Sequence, residues 1–185
     1  FEEAKDEAAF YGPKIDIQMK NVNGKEDTAF TVQYDFCMPE RFELSYIGED
    51  GEQHRAFVVH RSSIGAIERI MAFLIEKYAG AFPLWLSPVQ VRVLPVSEKH
   101  VTYAKEVSDA LKAANIRVEI DDANESLGKK IRNAKTAKIP YLLVVGEKEI
   151  EEKTVSADSR DHGKLDAMLV TDFVNRAIEE IKARK

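Results

Sequence analysis

Val58-Val59-His60-Arg61-Ser62-Ser63-Ile64-Gly65-Ala66-Ile67-Glu68-Arg69 sets a strand end bearing an imidazole directly before a helix opening that carries Gly65 and Arg69. The β-branched pair favours extended backbone. Ile64, Ile67, Ile70, Met71, Leu74 and Ile75 recur at three and four residues and predict an amphipathic helix over 64–78. Working upstream, residues 14–20 alternate as a half-buried strand, 21–25 hold an Asn-Gly turn and 29–34 read as the returning strand. Residues 42–47 and 56–60 read as two further strands joined by Gly48-Glu49-Asp50-Gly51. The first half is therefore expected to be an antiparallel sheet with the 64–78 helix laid against it.

Downstream, residues 80–88 bring a glycine, two prolines and Trp85, which interrupt helical periodicity before an alternating strand with Val89, Val91 and Val93. A helix over 97–114 with Val101, Ala104, Val107 and Leu111 inward and Asn115 as its stop comes next, then a strand with Ile116, Val118 and Ile120. A short basic helix over 127–137, an almost wholly apolar strand over 141–145, an edge strand around Val155 and a closing helix marked by Phe173, Ala177, Ile178 and Ile181 complete the chain. Such alternation predicts a mixed, mainly parallel sheet flanked by helices. The expected division is 1–82, a linker at 83–88, and 89–185.

The 185 residues are 44% apolar and 32% charged, enough for a core and a soluble surface without staples. The single cysteine, Cys37, excludes an intrachain disulfide and any multi-cysteine zinc knuckle. No apolar run reaches the ~18–20 residues needed to span a bilayer. The lone cysteine fits a reducing compartment and the opening Phe1-Glu2-Glu3-Ala4-Lys5-Asp6 has no signal-peptide pattern, so a cytoplasmic protein with no membrane partner is expected, and a first residue other than Met reads as a piece of a longer protein. Net charge is −6 over residues 1–88 and +1 over 89–185, so bulk charge does not advertise nucleic-acid binding. A local patch does exist, since residues 126–138 carry Lys129, Lys130, Arg132, Lys135 and Lys138 with no acidic residue among them.

His54, His60, His100, His162 and Cys37 show none of the paired spacings by which one strand or helix presents two metal ligands. Arg69 lies more than one turn into its helix, where its planar fork could stack on a base and meet phosphate oxygens; a surface arginine paired with Glu68 is the ordinary alternative. Tyr11 and Lys14 flank a Gly-Pro turn and can project over one end of the sheet, or form an ordinary turn with an amphipathic lysine. Thr31 and Gln33 put polar groups on one face of the second strand, which alternation alone would call a solvent face. Gly65 marks either a close approach of backbone and ligand or simple helix-entry packing.

Taken with Ala9-Phe10-Tyr11-Gly12-Pro13-Lys14-Ile15-Asp16 upstream and Ala81-Phe82-Pro83-Leu84-Trp85-Leu86-Ser87-Pro88 downstream, the 58–69 block resembles the third signature motif of class II aminoacyl-tRNA synthetases, closely the threonyl-tRNA synthetase family, over nearly the whole chain. The resemblance implies an α/β and α+β architecture: the antiparallel-sheet end of a class II catalytic domain, then an α/β anticodon-binding domain with a mixed sheet and flanking helices. It implies ATP-dependent attachment of threonine to tRNA(Thr) through a threonyl-adenylate, with ATP and magnesium as substrate and a homodimer in the intact enzyme. His60 matches one of three zinc ligands, the other two, a Cys and a His, being expected before Phe1. A metal site that satisfies a hydroxyl rejects an isosteric methyl far better than an apolar pocket does. The resemblance further implies catalytic and ATP-binding roles for Arg69 and Lys14, with Thr31 at ATP, and threonine contacts for Tyr11, Gln33 and Ser62.

In the second half the resemblance assigns Lys129, Lys130 and Arg132 to backbone phosphates and Glu149 to an anticodon base. Asp158 stands where an arginine often reads the middle base, and Arg160, two residues on, is the candidate substitute. Other departures are Thr28 for glutamine, Ala29 and Phe30 beside it, and Ser62 and Ala66. The segments expected to bear the first two class II motifs are missing, so the piece is expected to be inactive alone. A non-catalytic synthetase-like module that binds RNA or protein is the alternative, and the persistence of Arg69, Lys14, Tyr11 and His60 favours the enzyme.

Overall fold

The computed structural model describes residues 1–184 and divides into two compact units, Phe1–Lys77 and Tyr78–Lys185. In the first unit, β1 (Lys14–Lys20) pairs antiparallel with β2 (Glu26–Asp35), and β2 pairs antiparallel with β5 (Val58–Arg61). The Asn-Gly turn closes as expected: Asn21 Oδ1 accepts the backbone N–H groups of Asn23 and Lys25, and Gly24 takes φ +77°.

Residues 42–47 do not join this sheet. The chain leaves β2 through a short helix, α1 (Cys37–Arg41), and forms a separate hairpin of β3 (Ser45–Ile47) and β4 (Gln53–Arg55). Asp35 is the cause, because its Oδ1 accepts from the N–H groups of Cys37 and Met38 at 3.0 and 2.9 Å and starts the turn. Helix α2 runs Ile67–Tyr78, yet only Phe73 is buried, while Ile67, Met71 and Ile75 stay open at 72%, 43% and 50% exposure. Of the stripe read from the sequence, Ile70 and Leu74 are half-buried beside Phe73 and the rest is exposed, so the packed edge is narrower than the stripe.

Gly65 decides how β5 passes into α2. Its φ is +70°, and a Cβ there would lie 2.3 Å from the carbonyl oxygen of buried Ala29. The close approach is to the chain's own second strand. Gly65→Ala is expected to destabilise this unit by about 1–3 kcal/mol from backbone strain alone, with displacement of β2 added. Urea unfolding would check it, and an unchanged midpoint would refute the account.

The second unit is a mixed sheet in the order β10-β9-β8-β6-β7, with β11 also on β9. β6 (Val91–Pro95) pairs parallel with β7 (Val118–Ile120) and β8 (Tyr141–Val145); β9 (Thr154–Ser159) is antiparallel to β8, β10 (Gly163–Lys164) and β11 (Met168–Leu169). β9 is thus paired on both sides, not an edge, and Val155 is fully buried. Helices α3 (Val101–Ala113), α4 (Leu127–Thr136), α5 (Glu147–Glu152) and α6 (Val170–Lys182) accompany the strands, with a 3₁₀ turn at Glu98–His100 before α3. Asn115 ends α3 in the left-handed region at φ +58°. Leu84, Val91, Val93, Val107, Leu111, Tyr141, Leu143 and Phe173 make the main core.

Residues 83–88, expected as a linker, pack within this second unit: Leu84 is 1% exposed, and its carbonyl accepts from Gln90 Nε2 at 2.8 Å. Gln90 Oε1 accepts the Arg117 N–H, so one buried amide fastens this segment to the approach of β7.

Candidate functional site

Antiparallel pairing sets Lys14 opposite Gln33 and Asp16 opposite Thr31, and residues two apart share a face, so all four stand together on the first unit. They line a groove of about 430 Å³ with Glu7, Thr28 and Arg69. Lys14 Nζ donates to Asp16 Oδ2 at 2.7 Å, and Thr31 Oγ1 donates to Asp16 Oδ1 at 2.7 Å. The Lys14 ammonium, and with it the Thr31 hydroxyl, holds the Asp16 carboxyl below the usual carboxylate range, while the same bond raises Lys14. Asp16 was not singled out from the sequence; its spacing of two from Lys14 on an alternating strand is the signal that could have found it.

Arg69 reaches the groove from α2 and its Nη1 donates to the Thr28 carbonyl at 2.7 Å, not to Glu68. Tyr11 donates its phenolic O–H to Gln33 Oε1 at 3.0 Å. Gly12 permits this placement, because a Cβ there would lie 2.0 Å from the Tyr34 carbonyl oxygen. His60 lies opposite Gln33 on β5, with its ring edge-to-face with Tyr11 at 6.4 Å. Lys14, Thr31, Gln33 and Arg69 therefore share one groove, Tyr11 joins it through Gln33, and His60 sits beside Tyr11 outside the groove lining. Ser62 is differently employed: its Oγ accepts the Gly65 N–H at 2.8 Å and its own N–H donates to the Thr31 carbonyl, which makes it a turn residue.

His60 Nε2 donates to Asp35 Oδ2 at 2.9 Å; the Asp35 side chain is 2% exposed and the imidazole 55%. The N–H of Met38 is the main cause that keeps Asp35 below the usual carboxylate range, and His60 adds to it. Among the described residues no cluster of three or more His, Cys, Asp or Glu side chains could hold a metal ion. One imidazole with one ring nitrogen engaged by a carboxylate suits a single ligand of a larger set.

On the second unit the basic helix α4 splits by face. Lys129, exposed, pairs with Glu125 at 2.7 Å, and Arg132 is exposed. Lys130, expected at phosphates, is 4% exposed and donates to the carbonyls of Asp121 at 3.0 Å and Pro95 at 3.3 Å. It shares a face with buried Ala134 four residues on, so its stem lies inward and its ammonium caps strand-end carbonyls.

Glu149 is also turned inward, accepting the Gly146 N–H at 2.9 Å and the Ser156 hydroxyl at 2.7 Å, where the sequence reading put an anticodon reader. Arg160 donates to the carbonyls of Phe82 and Lys138 and grips Asp161, so it does not stand open as a substitute base reader. Asp158 is paired with Lys135 at 2.9 Å, so its charge is balanced by the basic helix. The exposed cations of this face are Lys129, Arg132 and Lys135.

Comparisons with known proteins agree with this division. The tRNA synthetase class II core domain (G, H, P, S and T) matches residues 2–78, and the anticodon binding domain matches residues 90–180. A threonine–tRNA ligase of Clostridium perfringens (strain SM101 / Type A) is 56% identical over 185 residues, all of this chain and 29% of that protein. The ligase of Acetivibrio thermocellus is 52% identical over 179 residues, 97% of this chain and 28% of the relative. Among solved structures, the RNA binding domain of threonyl-tRNA synthetase from Cryptosporidium parvum Iowa II superposes with a TM-score of 0.83 at 34% identity, covering 94% of this chain and 44% of that one. The chain spans less than a third of the length of these ligases.

Proposed function

The chain belongs to the threonyl-tRNA synthetase family, carrying a class II core piece and an anticodon-binding domain, and on that premise we propose that it serves the ATP-dependent joining of threonine to tRNA(Thr) through a threonyl-adenylate. The observation that carries this is the groove in which Lys14 and Arg69, both tethered, stand with Thr31 and Gln33. Displacement of pyrophosphate by a carboxylate accumulates negative charge at the α-phosphate, and two cations fixed beforehand stabilise it without reorganisation. Lys14 supplies a point charge held by Asp16. Arg69, its Nη1 already on the Thr28 carbonyl, presents a flat face to the base and remaining N–H groups to phosphate oxygens. Gln33 and Tyr11, bonded to each other, orient the amino-acid end. Magnesium accompanies ATP as substrate.

Zinc enters this reading through His60 alone, as one of three ligands, with the others outside the described residues. When bound it would supply a Lewis-acid site for the amino and hydroxyl groups of threonine. The family resemblance further supports a homodimer acting in the cytoplasm; no helix of the described residues is long and apolar enough to cross a membrane.

The experiment is threonine-dependent ATP–pyrophosphate exchange. The longer protein containing this chain is expected to catalyse it and the 185 residues alone are not. Exchange by the piece alone, or none from the longer protein with threonine, overturns the proposal.

The anticodon-binding domain is proposed to meet the tRNA through Lys129, Arg132 and Lys135. Changing the three together to alanine should weaken tRNA binding and lower the slope of log affinity against log salt by about 2–3, since each lost phosphate contact removes close to one released counterion. Filter binding between 50 and 200 mM salt would check it, and an unchanged slope counts against this face.

A further inference from the structure

The bond between Asp35 and His60 lies beyond the groove lining and joins the end of β2 to the exposed end of β5. Each Asp35 oxygen has a separate duty. Oδ1 accepts the N–H groups of Cys37 and Met38, and Oδ2 accepts the imidazole Nε2–H, all on a side chain 2% exposed. A carboxylate pinned by two backbone donors cannot swing, so it fixes both the ring plane and the tautomer of the histidine it holds. With the proton on Nε2, the Nδ1 lone pair is left, and no hydrogen bond occupies it among the described residues.

We propose that Asp35 is a positioning residue for His60: it locks the imidazole as the Nε2–H tautomer and so commits Nδ1 as the zinc-ligating atom. The inference rests on the zinc reading given above and adds to it a residue 25 positions upstream of the ligand. Asp35→Asn offers a sharp test, because asparagine keeps the cap. With its Oδ1 still accepting from Cys37 and Met38, its Nδ2 amide faces the ring as a donor, and two donors cannot pair. The ring must then turn Nε2 into an acceptor, which moves the proton to Nδ1 and blocks the ligand atom.

Long-range ¹H–¹⁵N spectra of the ¹⁵N-histidine-labelled 185-residue chain at pH above 7.5 should show His60 as the Nε2–H tautomer, and Asp35→Asn should shift it to Nδ1–H. An Nδ1–H wild type, or a tautomer unmoved by the substitution with backbone amide dispersion intact, overturns the proposal. Should the substitution unfold the chain, solvent exchange of the wild-type His60 Nε2 proton decides: slowed exchange supports the lock, and exchange as fast as that of a free imidazole overturns it. In the longer protein, zinc competition against a chelator should show Asp35→Asn weakening Zn²⁺ binding by about 10–100-fold. His60→Ala losing zinc while Asp35→Asn keeps wild-type affinity sinks the positioning role alone. His60→Ala retaining zinc sinks the metal reading and this inference with it.

Discussion

Arg69→Ala in the longer synthetase should lower threonine-dependent ATP–pyrophosphate exchange by about 10²–10³-fold, the range found when a preorganised donor at developing charge is removed. The guanidinium comes from α2, at the far side of the turn that Gly65 makes possible, and its Nη1 rests on the Thr28 carbonyl at 2.7 Å. That tether means part of the ordering entropy of a long side chain is lost on folding, before ATP arrives. Arg69→Lys should recover little, because an ammonium can neither lie flat on a base nor keep the carbonyl tie while meeting phosphate. The loss should fall on kcat/KM for ATP. A fall of less than tenfold in the alanine variant would refute the role, and full recovery by lysine would show that the charge matters and the fork does not.

Phe173→Ala should cost the second unit about 3–5 kcal/mol, a large part of the ~5–15 kcal/mol that holds a domain of this size. Phe173 on α6 is 0% exposed and meets the Tyr141 ring edge-on at 5.2 Å. The Tyr141 hydroxyl in turn donates to Glu180 at 2.7 Å, so the ring, the phenol and the closing helix form one support under β8. Deleting the ring opens a void bordered by strand and helix that cannot easily collapse. Calorimetry should show the melting transition of this unit lowered by about 12–25 °C. Phe173→Leu should lose much less; a comparable loss would mean the ring's shape, not its burial, is what α6 needs.

How much of this could be read from residues depends on what kind of force set each feature. Tyr141–Val145 was legible to the residue because an apolar run buried on both faces has no competing reading, and Asn115 because left-handed termination favours few side chains. Helix α1 was not legible: five residues with an internal proline carry no periodicity, and its cause is the Asp35 carboxylate. The α2 stripe was read correctly as apolar, but only its Ile70 and Leu74 edge is half-buried, since periodicity gives a face but not how much of it is covered.

In the site, Lys14, Thr31, Gln33 and Arg69 were grouped by the family resemblance, since alternation alone calls the Thr31 and Gln33 side a solvent face, and strand pairing is what brings them together. Asp16 and Asp35 escaped notice, being ordinary acids whose meaning comes from pairing across strands. Lys130, Glu149 and Arg160 show the converse. A charged side chain in a polar stretch looks solvent-facing, yet all three use their charge on carbonyls, amides or neighbours within the unit. Composition records charge, and only packing records where it is used.

Ile67, Met71 and Ile75 stand in water one turn apart along α2. Hydrocarbon so placed is colloidally sticky, and excluded anions such as sulfate intensify that tendency while leaving chloride solutions comparatively benign. Salting-out should therefore begin at modest ammonium sulfate, and polar replacements along this ridge should raise the precipitation threshold without moving the melting curve.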